Sequence, residues 1–567
     1  MLLWYIAGAL VVLLALRSLW LRLLLSRAKH PSLGGHSRLS RLMARFVRHY
    51  EYDETRFFAA DDAPAEVAAA RRAGFTQLTQ LYAQRFPKGT ALARELAHSV
   101  SDLQFTMRYR VPFQFSRMVR QYLPGGGTFL ESSSGVTVAD VDGNRLFDVS
   151  GSYGVNLFGY DFYKECIERG AEKVRALGPV LGAYHPLVAD NVRRLREISG
   201  FDEVSFHMSG TEAVMQAVRL ARYHTRRRYL VRFCGAYHGW WGDVQPGVGN
   251  PLPPEATYTL KDMDAASLRV LRTRRDIACV LVNPVQAMHP NASAPVDSAL
   301  IDSGRSARFD RAAYAAWLQQ LRAVCSERRI VLIFDEVFVG FRLARGGAQE
   351  YFGVRADLVT YGKSVGGGLP VGVVCGRRDL MKRYDDERPA DVCLARGTFN
   401  AHPYVMGAMD EFLTRLESAP IRALYCDLDA VWERRAAELN ARLQAADLPV
   451  QVANLSSIWT FNYLKASRYN WMFQYYLRAQ GLSLSWIGTA RLIFSLNYSD
   501  ADFAAVADRV VAAAEAMRRD GWWWQNAALT NKAIRRRVLR ELLQAWWTTS
   551  SIGSTSSPRS KCSGARQ

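Results

Sequence analysis

The sequence predicts an α/β protein with its functional residues along one edge of a buried sheet. Short apolar runs at 203–207, Leu230–Phe233, Ile277–Val282, Ile330–Phe334 and Leu358–Tyr361 have the length and β-branched content of buried strands. They alternate with helix-length segments, and each ends in a loop rich in glycine, hydroxyl or charged residues; in an α/β sheet such loops gather at its C-terminal edge. A chain of 567 residues is long enough for a large core and at least two domains.

Taken in order, the chain opens on an apolar stretch. Leu2–Leu16 contains only apolar or small residues, and with Arg17 and Arg22 tolerated it extends to Leu25. Arginines near a membrane boundary carry their charge to the headgroups along an apolar stem, so residues 1–29 are expected to form a transmembrane helix. The basic residues follow the apolar run instead of preceding it, unlike a cleaved signal peptide. Arg17, Arg22, Arg27 and Lys29 predict a single-pass anchor with the catalytic body in the cytoplasm; a helix lying on the membrane gives the same address. Residues 30–123 read as a helical segment, with helices over Ser37–Tyr50 and Ala65–Phe86.

From Gly135 the residues alternate polar and apolar around Asp142-Gly143-Asn144, a hairpin signal, and a glycine-containing loop at 151–159 is a candidate wall of the site. The strand at 203–207 delivers Ser209-Gly210-Thr211 to the start of a helix. Free N–H groups and the helix dipole make that an anion site, although an ordinary N-cap accounts for the same triplet. Leu230–Phe233 leads to Tyr237 and His238, and Ile277–Val282 to Asn283-Pro284-Val285-Gln286. Ile330–Phe334 delivers Asp335 and Glu336; Leu358–Tyr361 delivers Gly362-Lys363-Ser364, three glycines and a proline. Such a lysine is either a surface residue beside a flexible loop or a Schiff-base lysine, with glycines allowing close backbone approach. In the second case an aspartate on the neighbouring strand can pair with a protonated pyridine nitrogen.

Residues 124–150 and 411–520 are expected to form a smaller domain around a large one at 151–410. A basic, tryptophan-flanked amphipathic helix is expected at 521–547, and a disordered serine- and glycine-rich tail at 548–567. The formal net charge of +20 raises nucleic acid as a partner, but its placement favours a lipid bilayer. Arg38, Arg41, Arg45 and Arg48 follow the apolar stretch, and Lys532, Arg535, Arg536, Arg537 and Arg540 lie between Trp522-Trp523-Trp524 and Trp546-Trp547, as suits an anionic membrane interface. The eight cysteines form no CxxC pair, so neither a metal site nor a disulfide framework is expected.

Two stretches carry a family resemblance. DEVFVGFR (335–342) and TYGKSVGGGLPVG (360–372) resemble the signature of class III pyridoxal-phosphate aminotransferases of fold type I, most closely glutamate-1-semialdehyde 2,1-aminomutase. The resemblance spans residues 130–520. It implies a large domain with a mostly parallel seven-stranded sheet, a small α+β domain, and pyridoxal 5′-phosphate as cofactor. On its pattern Lys363 is the Schiff-base lysine and acid/base, Asp335 pairs with the pyridine nitrogen, and Val337 packs on one ring face. Ser209, Gly210 and Thr211 lie at the phosphate, Tyr237 stacks on the ring beside His238, and Gln286 bonds the 3′-oxygen. Thr398 reaches the phosphate of a neighbouring subunit, which implies a homodimer with shared sites. Arg491 is a candidate clamp for a substrate carboxylate.

Three departures qualify the pattern. Asn283 stands where relatives carry glutamate, His402 where asparagine is usual, and Phe494-Ser495-Leu496 lacks the usual prolines. The expected activity is transfer of an amino group from an amino-acid donor to an aldehyde or ketone, with membrane attachment favouring a lipid-like acceptor. The alternatives are an intramolecular aminomutase and a non-catalytic membrane scaffold that retains the fold.

Overall fold

A computed structural model describes residues 1–552 apart from 127, 246, 251, 253–254, 285–306 and 308. Its strands are β1 Leu130–Ser134, β2 Thr137–Asp140, β3 Arg145–Asp148, β4 Glu203–His207, β5 Tyr229–Phe233, β6 Thr257–Leu260, β7 Ile277–Val282, β8 Val331–Asp335, β9 Leu358–Gly362, β10 Gly372–Gly376, β11 Val450–Leu455, β12 Ile458–Tyr463, β13 Leu482–Ser483 and β14 Leu492–Ile493.

Seven of these form the central sheet in the order β4-β10-β9-β8-β7-β5-β6. Only β10 runs against its neighbours; the other pairings are parallel. Every residue of β7, β8, β9 and β10 is buried, the continuous apolar pattern of strands covered on both faces. The helix Gly210–Thr225 packs across β9 and β10. The helices Tyr160–Val174 and Pro403–Leu416 cross closely: a Cβ on Gly170 would lie 2.4 Å from the Ala408 nitrogen, and one on Gly407 2.2 Å from the Gly170 oxygen. The domain boundary expected at 410 therefore falls inside a helix bound to the large domain.

The remaining strands form two smaller sheets. In β1-β2-β3-β13, the hairpin predicted around Asp142-Gly143-Asn144 pairs with a strand from the C-terminal part of the chain; β11-β12-β14 is wholly C-terminal. Residues 30–123 contribute six α-helices, Ser37–Phe46, Glu54–Ala59, Ala65–Arg85, Pro87–Leu96, Ser101–Tyr109 and Ser116–Tyr122. Several of them lie against the small domain. Buried Arg71 donates to the carbonyls of Gly521 (3.0 Å) and Phe58 (2.9 Å) and lies over the Tyr469 ring, and Tyr82 donates to the Tyr475 carbonyl.

The C-terminal expectation needs two corrections. Trp522 and Trp523 are not interfacial: both are buried, and their indole N–H groups donate to the Tyr476 hydroxyl and to Asn470. Their large apolar faces complete the core between the small domain and the N-terminal segment. The basic helix runs Asn531–Ile552, into the region expected as tail; residues 553–567 lie outside the described residues.

The helix Leu2–Ala28 is, among the described residues, the one long and apolar enough to cross a membrane, a description a signal sequence also meets. Its final turns are fastened to the protein. Leu24 and Ala28 are buried, the helix packs on Ala265–Thr273, and the Ala28 carbonyl accepts from the Lys261 N–H at 2.9 Å, just beyond β6.

Candidate active site

The C-terminal ends of β8 and β9 place Asp335 and Lys363 side by side, as their parallel register (Asp335 opposite Thr360) requires. The Asp335 carboxylate is buried and held by three donors. The His238 Nδ1 lies 2.7 Å from one oxygen; the Val337 N–H (3.2 Å) and the Thr360 hydroxyl (3.3 Å) reach the other. Burial pushes His238 below its ordinary range, against the opposing pull of Asp335. A proton carried on Nδ1 is donated to this carboxylate. His238 Nε2 is buried without a hydrogen-bond partner.

The acidic pair read from the sequence splits in two. Glu336 turns away from the site and accepts from the N–H groups of Ala348 (2.6 Å) and Gln349 (3.3 Å). Burial pushes its carboxyl up to about 8. Its task is to cap the helix Gly347–Phe352.

Lys363 is partly buried with φ of +49°, in the left-handed region. Its Nζ sits 4.7 Å from the centre of the Phe338 ring. Burial lowers its ammonium to about 8; Asp335 opposes this shift, while Arg491 and Arg342 add to it. Arg491 lies just before β14, as expected, and its guanidinium approaches the same Phe338 ring at 5.6 Å. The structure thus brings Lys363, Asp335, His238 and Arg491 together.

Phe338 was missed by the sequence reading, although it directly follows Val337 in the motif. Arg342 was missed too. It is fully buried and donates to the Ser457 hydroxyl (3.0 Å) and to the carbonyls of Phe494 (2.6 Å) and Asn156 (3.1 Å). It thereby ties the 151–159 loop to the small domain. Ser152 and Tyr153 in that loop have φ of +45° and +57°, and a Cβ on Gly154 would meet the Phe338 ring at 2.6 Å, so the loop does wall the site. Both misses are residues whose role comes from contacts made across domains.

The remaining predicted residues fall as follows. Ser209 is the N-cap of Gly210–Thr225, its hydroxyl accepting from the Glu212 N–H at 3.2 Å, so this oxygen is engaged in capping. The N–H groups of Gly210 and Thr211 have no intrahelical acceptor. Val337 sits against both Gly210 and Gly362, where a Cβ would come within 2.6 Å and 3.1 Å of it. Gly239 (φ +90°) presses its backbone against the Thr211 side chain. Tyr237 is 62% exposed, beside a cavity of about 240 Å³ bounded by Arg232, Gly239, Val244 and Val248. Asn283 is buried and donates to the Tyr237 carbonyl at 3.1 Å. Thr398 is exposed in the turn at 397–400. Gln286 lies outside the described residues.

These residues fit pyridoxal phosphate. A buried carboxylate backed by a histidine, a lysine on the neighbouring strand end, a valine set between two glycines and a helix N-terminus together offer partners for a ring nitrogen, an aldehyde, a ring face and a phosphate.

The fold and this constellation define a pyridoxal-phosphate-dependent enzyme of fold type I. Residues 122–514 match the family model described as aminotransferase class-III, and the chain belongs to that family. A glutamate-1-semialdehyde 2,1-aminomutase of Alkaliphilus oremlandii (strain OhILAs) is 36% identical over 331 residues, which cover 55% of this chain and 72% of that protein. A solved structure described as a transaminase with PLP bound is 26% identical, with a TM-score of 0.59 over 74% of this chain and 99% of that one. A glutamate-1-semialdehyde aminomutase from Pseudomonas aeruginosa PAO1 shares the fold at 17% identity, with a TM-score of 0.61 over 80% of this chain and 99% of that one.

Proposed function

We propose that this chain moves an amino group within a small carboxylate-bearing substrate, as an aminomutase of the glutamate-1-semialdehyde type. The observation that carries this reading is the shared Phe338 ring: Lys363 and Arg491 approach it at 4.7 and 5.6 Å. A guanidinium so close to the reactive amine suits the carboxylate of an amino-acid-like substrate. The 36% identity to the Alkaliphilus aminomutase points the same way and reverses the order expected from the sequence. Intermolecular transfer is the second reading. It is favoured by the apolar helix at the sheet edge, which suits a lipid-like acceptor, and by Asn283, which lacks the charge relatives carry there.

Bound in this site, pyridoxal phosphate supplies an aldehyde that condenses with amines and a ring that withdraws electrons from the carbon bearing the amine. Asp335 holds the ring nitrogen protonated, with His238 fixing its orientation. Val337 and Tyr237 would hold the ring faces, and Gly210 and Thr211 the phosphate. Lys363, with an amine near neutrality, takes a proton from one carbon and returns it to another. Thr398 serves the site of a second subunit in a homodimer. The helix Leu2–Ala28 is the membrane anchor, with the catalytic body on the cytoplasmic side.

The test is the visible spectrum of detergent-purified wild type and Lys363→Ala, followed by assay. Wild type is expected to show a band that borohydride fixes covalently to Lys363, and the variant none attached at that position. Turnover of glutamate-1-semialdehyde without any second substrate supports the mutase. Turnover only with an added amino donor supports transfer. If wild type takes up no cofactor when supplied with it, the chain is a scaffold and both readings fail.

A further inference from the structure

The helix Ser37–Phe46 is inverted for a surface helix. Leu39, Leu42, Met43 and Phe46 recur at i, i+3, i+4 and i+7, the spacing of a single apolar stripe, yet they are 46%, 50%, 39% and 55% exposed. The side that meets the protein is polar. Ser40 is buried and donates to the Ser37 carbonyl at 3.0 Å, and Arg41 donates to the Leu252 carbonyl at 2.8 Å. Four large apolar side chains pointing into water forgo the stabilisation of burial, so the stripe calls for an occupant.

Three observations identify that occupant as an anionic lipid surface. First, this helix closely follows the apolar helix Leu2–Ala28, whose residues Leu3–Trp20 are all exposed. That stretch rises about 27 Å, close to the hydrocarbon thickness of a bilayer. Second, both helices are fastened to one place on the body. The Ala28 carbonyl accepts from Lys261 just beyond β6, and Gly34 packs against the Cys234 thiol just beyond β5. These strands are parallel neighbours with Phe233 opposite Leu260. Third, exposed Arg38 and Arg45 flank the stripe, the charge sign that anionic headgroups attract.

We propose that Ser37–Phe46 is a membrane-docking helix lying in the headgroup layer of an anionic bilayer. Together with the apolar helix it holds the C-terminal edge of the central sheet, with Tyr237 at its lip, against the membrane. Docking rests on the anchor reading of Leu2–Ala28 and is independent of which reaction the enzyme performs.

The test places a nitroxide on the full chain at Met43→Cys, Leu10→Cys or Glu515→Cys, in a Cys426→Ser, Cys562→Ser background, reconstituted in phosphatidylglycerol/phosphatidylcholine vesicles. Collisions with oxygen and with a water-soluble nickel chelate report lipid and water exposure. Position 43 is expected to favour oxygen, less strongly than position 10, while position 515 favours nickel. Arg38→Gln/Arg45→Gln is expected to lower the docked-to-undocked ratio by about fivefold per arginine, leaving the visible cofactor band unchanged. Nickel-favoured collisions at 43 with position 10 in lipid overturn the docking and leave the anchor. Nickel-favoured collisions at both overturn both. Shielding of position 43 from both reagents means that a second copy or another protein covers the stripe, and also overturns the proposal, as does a docked ratio indifferent to vesicle charge.

Discussion

Lys363 occupies a position that costs the fold twice. A non-glycine residue at φ +49° carries roughly 1–3 kcal/mol of backbone strain, and burial lowers its ammonium to about 8 from 10.5. The unfolded chain therefore holds that proton more tightly than the folded one. Below pH 8 the folded state bears the full penalty of a buried charge, and stability of the cofactor-free protein rises as pH climbs from 8 to 10.5, by up to about 3 kcal/mol. Lys363→Met is expected to flatten that rise in denaturant titrations across this window; curves that stay parallel would refute the depressed ammonium. In the proposed chemistry, Asp335 and His238 divide one task between charge and orientation. Asp335→Asn is expected to lower kcat on the order of 10³-fold, as for loss of a group that stabilises developing charge. His238→Phe removes one hydrogen bond to a carboxylate and is expected to cost about 10- to 100-fold, with a shifted cofactor absorption band that a purely structural residue would not produce. The strand-end positions of Asp335, Val337 and Lys363 were legible because short motifs follow the apolar runs. Phe338 and Arg342 were not, because their significance lies in what reaches them: Lys363 and Arg491 for the first, the 151–159 loop and the small domain for the second.

Among elements, the long N-terminal segment and the C-terminal helix are joined by a buried charge cluster. Arg468 pairs with Asp61 at 2.9 Å and with Glu541 at 2.9 Å, and Tyr52 and Tyr50 donate to Glu541 at 2.6 and 2.9 Å. Three chain regions far apart in sequence meet there. Burial pushes the Glu541 carboxyl up, but Arg468 and the two hydroxyls outweigh it and hold the group below its ordinary value of 4.5. Its stabilising contribution is thus present above pH 4.5 and disappears as pH falls further, when the folded carboxylate takes its proton. Glu541→Leu leaves Arg468 without one partner and is expected to destabilise by about 3–5 kcal/mol. Limited proteolysis should then cut near Asn531–Ile552 sooner than in wild type; an unchanged cleavage rate would mean the cluster does not hold the helix. None of this could be read from the sequence. The strands of the central sheet could, because an unbroken run such as Ile277–Val282 carries its burial in its own composition. The C-terminal tryptophans misled for the opposite reason: an aromatic beside basic residues suits a membrane interface and a protein core equally, and only the tertiary partners of Trp522 and Trp523 distinguish the two.

At the scale of the whole molecule, the apolar helix divides into a free part and a fastened part, and the division makes a prediction about where the chain can be cut. Leu3–Trp20 is exposed throughout and makes no contribution to the core. Leu24 and Ala28 are buried, Leu25 packs beside them, and the following turn lies on the end of β5. Deleting residues 2–20 is therefore expected to leave melting temperature and cofactor uptake close to wild type while freeing the protein from detergent. The proposed docking helix Ser37–Phe46 remains in that shortened chain, so on that proposal binding to anionic vesicles should persist, weakly, and fall as salt screens Arg38 and Arg45. Deleting residues 2–36 also removes the fastened turns. Loss of buried Leu24 costs about 1.5–3 kcal/mol, and the end of β5, which leads to Tyr237, and that of β6 lose their cover. The longer deletion should lower the melting temperature and weaken the cofactor band together, because the segment proposed as the anchor also covers the strand end that leads to Tyr237. Equal stability and cofactor uptake in the two truncations would separate those roles and confine residues 21–36 to attachment alone.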